Sequence, residues 1–233
     1  MHGDEARSAA EIRIAPWGGR PLSLLELLAG AGIVIGHNVF HVVPNEVPIL
    51  FVLGIASIRL RDRSWRAIGL ARPKSWLVTI AIAALTAAAV LAVGQFVTGP
   101  LSGLMGLHTA KSAATSLGLK RGDWLSLLKS LAIIWTFAAF GEEIGYRRYL
   151  LGRAADLGHG STFAYWVALF IISPLFGIGH FYQGQAGMFQ TACDGFLIGA
   201  AYLLSRRNLW VAVLAHGLID TVAFLAIYSG IAD

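Results

Sequence analysis

The sequence predicts an all-α protein, a polytopic bundle of about seven transmembrane helices. Two observations carry this expectation. Hydrophobic residues make up 56% of the 233 residues and charged residues only 13%, and mean hydropathy is +0.66. That balance is foreign to a water-soluble domain. The apolar residues also gather in runs close to the ~20 residues that a helix needs to cross the hydrocarbon core.

Seven segments fit that ruler, with Trp, Tyr, Lys and Arg marking their ends. The first, 21–43, begins after Arg20, and the second, 47–60, is short for a span and ends at the basic pair Arg59 and Arg61. The third, 76–97, starts at Trp76, and the fourth, 124–150, starts at Trp124 and runs into Arg147 and Arg148. The fifth, 163–180, contains Pro174 and two glycines that permit a bend near its end. The sixth, 186–205, stops before Arg206 and Arg207, after which the seventh, 209–228, closes at Tyr228. Residues 1–20 form a polar tail without an apolar core, so a cleavable signal peptide is not expected. Residues 21–233 are read as a single transmembrane domain.

Every basic residue other than Lys111, Lys120, Arg121 and Lys129 falls on the side of the N-terminus if the second segment crosses. The positive-inside rule then makes the tail cytoplasmic, in the cytoplasmic membrane if the source is prokaryotic. The net charge of +5 reflects this asymmetry, not a nucleic-acid partner, because no basic stripe with interleaved aromatics is present. The single cysteine, Cys193, excludes an intrachain disulfide and a Cys-based zinc site.

Polar residues inside the spans carry the functional signal, because a carboxylate in lipid costs several kcal/mol unless it is paired, protonated or facing water. Glu142 and Glu143 are adjacent in the fourth segment. Glu143 and Arg147 share a helix face, whereas Glu142 points about 100° away. Glu143 is therefore expected to be neutralised by Arg147, leaving Glu142 to face a cavity. In the fifth segment Phe176 precedes His180 by one turn, and in the seventh His216 and Asp220 are four apart. Three helices thus each offer a group able to handle protons or hold a metal.

Taken singly, each feature has a plainer reading: a structural Glu–Arg pair, an interfacial histidine, a helix–helix hydrogen bond. Asp194 in the sixth segment lines the same cavity or bonds a neighbouring helix. His37 and His41, four apart, are read as interfacial, and Glu26 as snorkelling. Gly32 with Gly36 and Gly195 with Gly199 are small-xxx-small pairs, a signal for close helix contact and for a homodimer. The connector 99–123 is either a lid over the cavity or an exposed loop.

Together, the Glu142-Glu143-x-x-x-Arg147, Phe176-x-x-x-His180 and His216-x-x-x-Asp220 elements, with the run from His180 to Gly184, resemble the CPBP family. This is the CAAX prenyl protease and bacteriocin-processing, or Abi, group of intramembrane endopeptidases, and the resemblance covers a protease core at about 124–229. It implies hydrolysis of a peptide bond in a membrane-anchored or lipid-proximal substrate at the bilayer. By the same resemblance Glu142, His180, His216 and Asp220 are catalytic. Glu142 would be the base that activates water, His180 would position that water, and His216 would donate to the developing oxyanion with Asp220 orienting its ring. Glu143, Arg147, Phe176 and Asp194 support them.

Many members carry Asn where Asp220 stands. No cofactor is favoured; zinc is the alternative, held by Glu142, His180 and His216, although no His-Glu-x-x-His element is present. A non-proteolytic transporter or immunity scaffold is the competing functional class, and the repeat symmetry of a transporter is not found. Straight helices also place His180 roughly 10–15 Å out of level with Glu142 and His216, so the site closes only if the fifth helix starts further inside or bends.

Overall fold

A computed structural model describes residues 19–62, 65–110 and 112–231. Among them the chain is helical, with no strand: α1 (Gly19–Asn38), α2 (Glu46–Arg61), α3 (Trp76–Leu104), α4 (Ala113–Ser116), α5 (Trp124–Leu157), α6 (Thr162–Ile178), α7 (Gly184–Leu204) and α8 (Leu209–Ser229). The N-terminal tail expected to be cytoplasmic lies almost wholly outside the described residues. Four helices, α1, α3, α5 and α8, are long and apolar enough to cross a membrane, and the pair α6–α7, bent by 59°, makes a fifth if it crosses as one span. Helix α2, at 16 residues, is not among them, as its shortness in the sequence foreshadows.

Short polar residues start the helices by accepting orphan backbone N–H groups. Asn45 takes Val47 N at 2.9 Å, Asp123 takes Leu125 N at 3.0 Å, Ser161 takes Ala164 N at 3.1 Å and Asn208 takes Trp210 N at 3.2 Å. Each such cap is worth about 1 kcal/mol. Large apolar side chains left over by packing point outward: Leu77 on α3 is 80% exposed and Phe163 on α6 is 78% exposed. In water these would be a liability, and in lipid they are the expected outer face.

Glycines set the interhelical distances. A β-carbon at Gly145 would lie 3.1 Å from Leu50 Cβ and one at Gly54 would lie 3.0 Å from Tyr149 Cβ, so α2 and α5 pack nearly backbone to backbone. Helices α6 and α7 do the same. A β-carbon at Gly177 would come within 2.5 Å of the Met188 carbonyl oxygen, and Gly195 and Gly199 abut Phe176 and Leu169. The Gly195–Gly199 pair is therefore used within the chain, which removes it as a signal for dimerisation. Gly32 on α1 has open space beside it.

Buried charge ties the other end of the bundle. Glu26 on α1 bridges Arg61 on α2 at 3.0 Å and Arg153 on α5 at 2.8 Å, and Ser57 donates to it. Both arginines are 3% exposed. The expectation that Glu26 snorkels is corrected: its carboxylate turns inward because two arginines from other helices meet it.

Two features of α5 were not expected from sequence. Residues Ile134–Leu150 bond i to i+5, as a π-helix, the kind of widened turn found often at functional sites. The helix also continues through Leu151–Leu157, 7 residues beyond the expected end, or about 10 Å. Helix α6 therefore starts further in and brings His180 to the level of its partners. It runs through Pro174 and breaks instead at Gly179 and His180.

Candidate active site

Helices α5, α6, α7 and α8 surround a cavity of about 980 Å³. Glu142, Phe176, His180, Asp194, His216 and Asp220 all line it, so the side chains singled out on four segments are brought to one place. Glu143 and Arg147 stand directly behind them, 0% and 2% exposed.

Glu143 is the centre of the buried part. Its Oε2 meets Arg147 Nε at 3.1 Å, an ion pair aligned too obliquely for a hydrogen bond. Its Oε1 lies 2.8 Å from His216 Nδ1. Paired with a guanidinium, Glu143 is a carboxylate and can only accept, so Nδ1 of His216 carries the hydrogen. The other ring nitrogen, Nε2, is 3.5 Å from Asp220 Oδ2. The sequence expectation made Asp220 the group that orients His216; the shorter contact is to Glu143, and Asp220 faces the opposite side of the ring.

Phe176 explains the aromatic in its element. Its ring takes the Arg147 guanidinium over one face at 4.2 Å and touches Tyr146 at 4.9 Å, His180 at 4.9 Å and His216 at 6.0 Å between centroids. One residue thereby spaces the ion pair from both histidines. His180, at the break after α6, bonds through Nδ1 to Phe176 O at 2.9 Å. A carbonyl only accepts, so Nδ1 is the protonated nitrogen and Nε2 keeps a lone pair.

Two carboxylate oxygens shielded from solvent, Glu142 Oε2 and Asp194 Oδ1, have no hydrogen-bond partner among the described residues. Burying such an atom unpaired costs about 1–3 kcal/mol, and retained cost of this kind points to function. The described residues do not gather three His, Cys, Asp or Glu side chains at metal-ligand spacing. Of the three zinc ligands considered, His216 already has its Nδ1 on Glu143 and its Nε2 facing Asp220.

Sequence reasoning missed one wall of the cavity. Glu46, 6% exposed at the start of α2, accepts from Asn38 Nδ2 at 3.0 Å and meets His37 Nε2 at 3.2 Å. All three line the cavity. His37 is thus a site-wall residue. His41 bonds the His37 carbonyl instead of pairing with the His37 ring. No local pattern marks Glu46, because the turn 39–45 alone folds it back onto α1. The connector is also more than an exposed loop. Ser112, Ala113, Ala114, Ser116 and Leu117 line the cavity, Ala114 is buried, and the stretch 108–110 is clamped by Ala110 N to Gln183 O and Ala186 N to His108 O.

Comparison with known families decides what this core is. Residues 124–222 match the family model described as Rce1-like, type II CAAX prenyl endopeptidase. That stretch is similar to the Rce1-like family. The Rce1-like segment contains the Glu-Glu, Phe-His and His-Asp elements and Asp194, whereas Glu46, Asn38 and His37 lie before it. With the four to five helices apolar enough to cross a membrane, the match supports a multi-pass integral membrane protein with a core similar to the CAAX proteases. No curated protein and no solved structure matches the chain.

Proposed function

We propose that the protein is an intramembrane endopeptidase that hydrolyses a peptide bond in a membrane-anchored or lipid-proximal substrate. The observation that carries this is the unpartnered Glu142 Oε2 in the same cavity as the His180 ring, whose Nε2 lone pair is free. Water held between them loses a proton to Glu142 as its oxygen bonds the scissile carbonyl carbon. Negative charge then grows on the carbonyl oxygen, where His216, as an imidazolium with Nδ1–H on Glu143, shares its Nε2–H between Asp220 and that oxygen while Glu143 fixes the ring from behind. The C–N bond breaks as Glu142 returns the proton to the leaving nitrogen, giving one carboxyl and one amino product. Asp220 holds the exposed edge of His216, and Phe176, Arg147 and Glu143 keep the two histidines in register.

The chain's own groups suffice for this sequence, and zinc is the alternative. The basic residues favour a cytoplasmic N-terminus if the helix Glu46–Arg61 crosses, in the cytoplasmic membrane if the source is prokaryotic. Cleavage of a library of single-span peptides in liposomes, with products read by mass spectrometry, tests the proposal. Discrete cleavage that His216→Ala abolishes is expected; a folded wild-type protein that cleaves no peptide would favour a non-proteolytic role such as transport or scaffolding.

A further inference from the structure

The cavity holds two carboxylates that the proposed hydrolysis does not use. Glu46, Glu142, Asp194 and Asp220 line it, and no lysine or arginine is among its described lining residues. Three of the four are engaged: Glu46 with Asn38 and His37, Asp220 with His216, and Glu142 with the water in the reading above. Neighbouring positive charge is engaged too, since Arg147 sits behind Glu143, with its head on the Phe176 ring and the Gly195 carbonyl.

Asp194 is left over. Its Oδ1 is shielded and unpartnered, and its position on α7 is pinned because the next residue, Gly195, packs against Phe176 with no room for a β-carbon. A fixed carboxylate in a wall without lysine or arginine is most relieved by a cation that arrives with the ligand. Another part of the lining, with Ile134, Phe137, Phe224 and Ile227, suits an apolar chain. A peptide combining apolar character with one basic side chain complements both.

We propose that Asp194 is a specificity-determining residue that receives a lysine or arginine side chain of the substrate close to the bond being hydrolysed. The assignment rests on the proteolytic reading of the same cavity. The field that favours a basic side chain also disfavours acidic residues beside the bond.

The test uses the full chain in liposomes and a peptide series identical except at positions flanking the cleaved bond, where Lys, Gln and Glu are exchanged. Wild type is expected to prefer Lys over Gln in kcat/KM by about tenfold or more, the scale of one charged hydrogen bond. In Asp194→Asn, nearly isosteric, the Lys-to-Gln ratio should fall to about one whatever the absolute rate, which a merely structural role would not produce. Equal cleavage of Lys and Gln peptides by wild type, or a ratio unchanged in Asp194→Asn, overturns the proposal. Binding of the same peptides, labelled and followed by anisotropy, separates the two readings. Lys-selective binding that depends on Asp194 without any cleavage would support the cation site and contradict proteolysis; no selectivity in binding or cleavage would overturn the cation site.

Discussion

Glu143 Oε1 lies 2.8 Å from His216 Nδ1 while Glu143 Oε2 lies 3.1 Å from Arg147 Nε. A carboxylate fully withdrawn from solvent thus joins the cation on its own helix to the histidine on α8. The first contact explains why His216 presents a defined edge to the cavity, and the second why an acidic residue adjacent to the proposed base is tolerated.

Removing one partner from this chain of charges should be severe. Glu143→Ala leaves Arg147 buried without its counter-ion, a loss of about 3–5 kcal/mol, read as a fall in thermal stability in detergent. Glu143→Gln together with Arg147→Met, which removes both charges, should recover much of that stability but not activity, because His216 would lose its orienting carboxylate.

Phe176 should separate stability from catalysis. Phe176→Leu keeps an apolar filler and is expected to cost less than the about 3–5 kcal/mol of Phe176→Ala. Both should lower kcat, since neither supports the rings of His180 and His216. Parallel unfolding and turnover measurements check this.

The α6–α7 contact is equally specific. Gly177→Ala would place a β-carbon 2.5 Å from the Met188 carbonyl oxygen, and backbone cannot swing aside as a side chain can. The expected result is overpacking of about 1–3 kcal/mol or more, with activity lost because the break carrying His180 is pushed away. Gly32→Ala, on α1 with open space around it, should leave stability within about 0.5 kcal/mol of wild type.

The wall that precedes the family segment also has a consequence. Glu46→Ala leaves one Asn38 Nδ2 hydrogen without its acceptor, the other staying on the Val34 carbonyl, and removes the carboxylate beside His37 Nε2, for about 1–3 kcal/mol of lost stability, measurable by thermal unfolding. Glu46→Gln retains an acceptor oxygen and should recover part of that loss.

Much of this arrangement is legible in the residues because a membrane makes polar side chains expensive. Glu142, Glu143 and Arg147, then His180, then His216 and Asp220 stand out against apolar runs, and helical spacing alone pairs Glu143 with Arg147. The helix boundaries follow from aromatic and basic residues at the span ends. What was hidden depends on tertiary contact. Glu46 belongs to the cavity only because a short turn returns α2 to α1, and Glu26 turns inward only because Arg61 and Arg153 arrive from other helices. Nothing local marks the π-helical stretch or the inward extension of α5, so the level of His180 was misjudged by straight helices of fixed rise. The contact of Glu143 with His216 joins residues 73 positions apart, beyond the reach of any spacing rule.

The most direct measurement is turnover of one cleaved peptide by wild type and Glu142→Gln in liposomes, each with and without a zinc chelator. The account predicts that the substitution lowers kcat by about 10²–10⁴, the scale of a lost general base, while the protein stays folded and the chelator changes nothing. Unimpaired turnover by Glu142→Gln would contradict the role given to Glu142, and activity lost to chelator and restored by zinc would replace glutamate chemistry with a metal site.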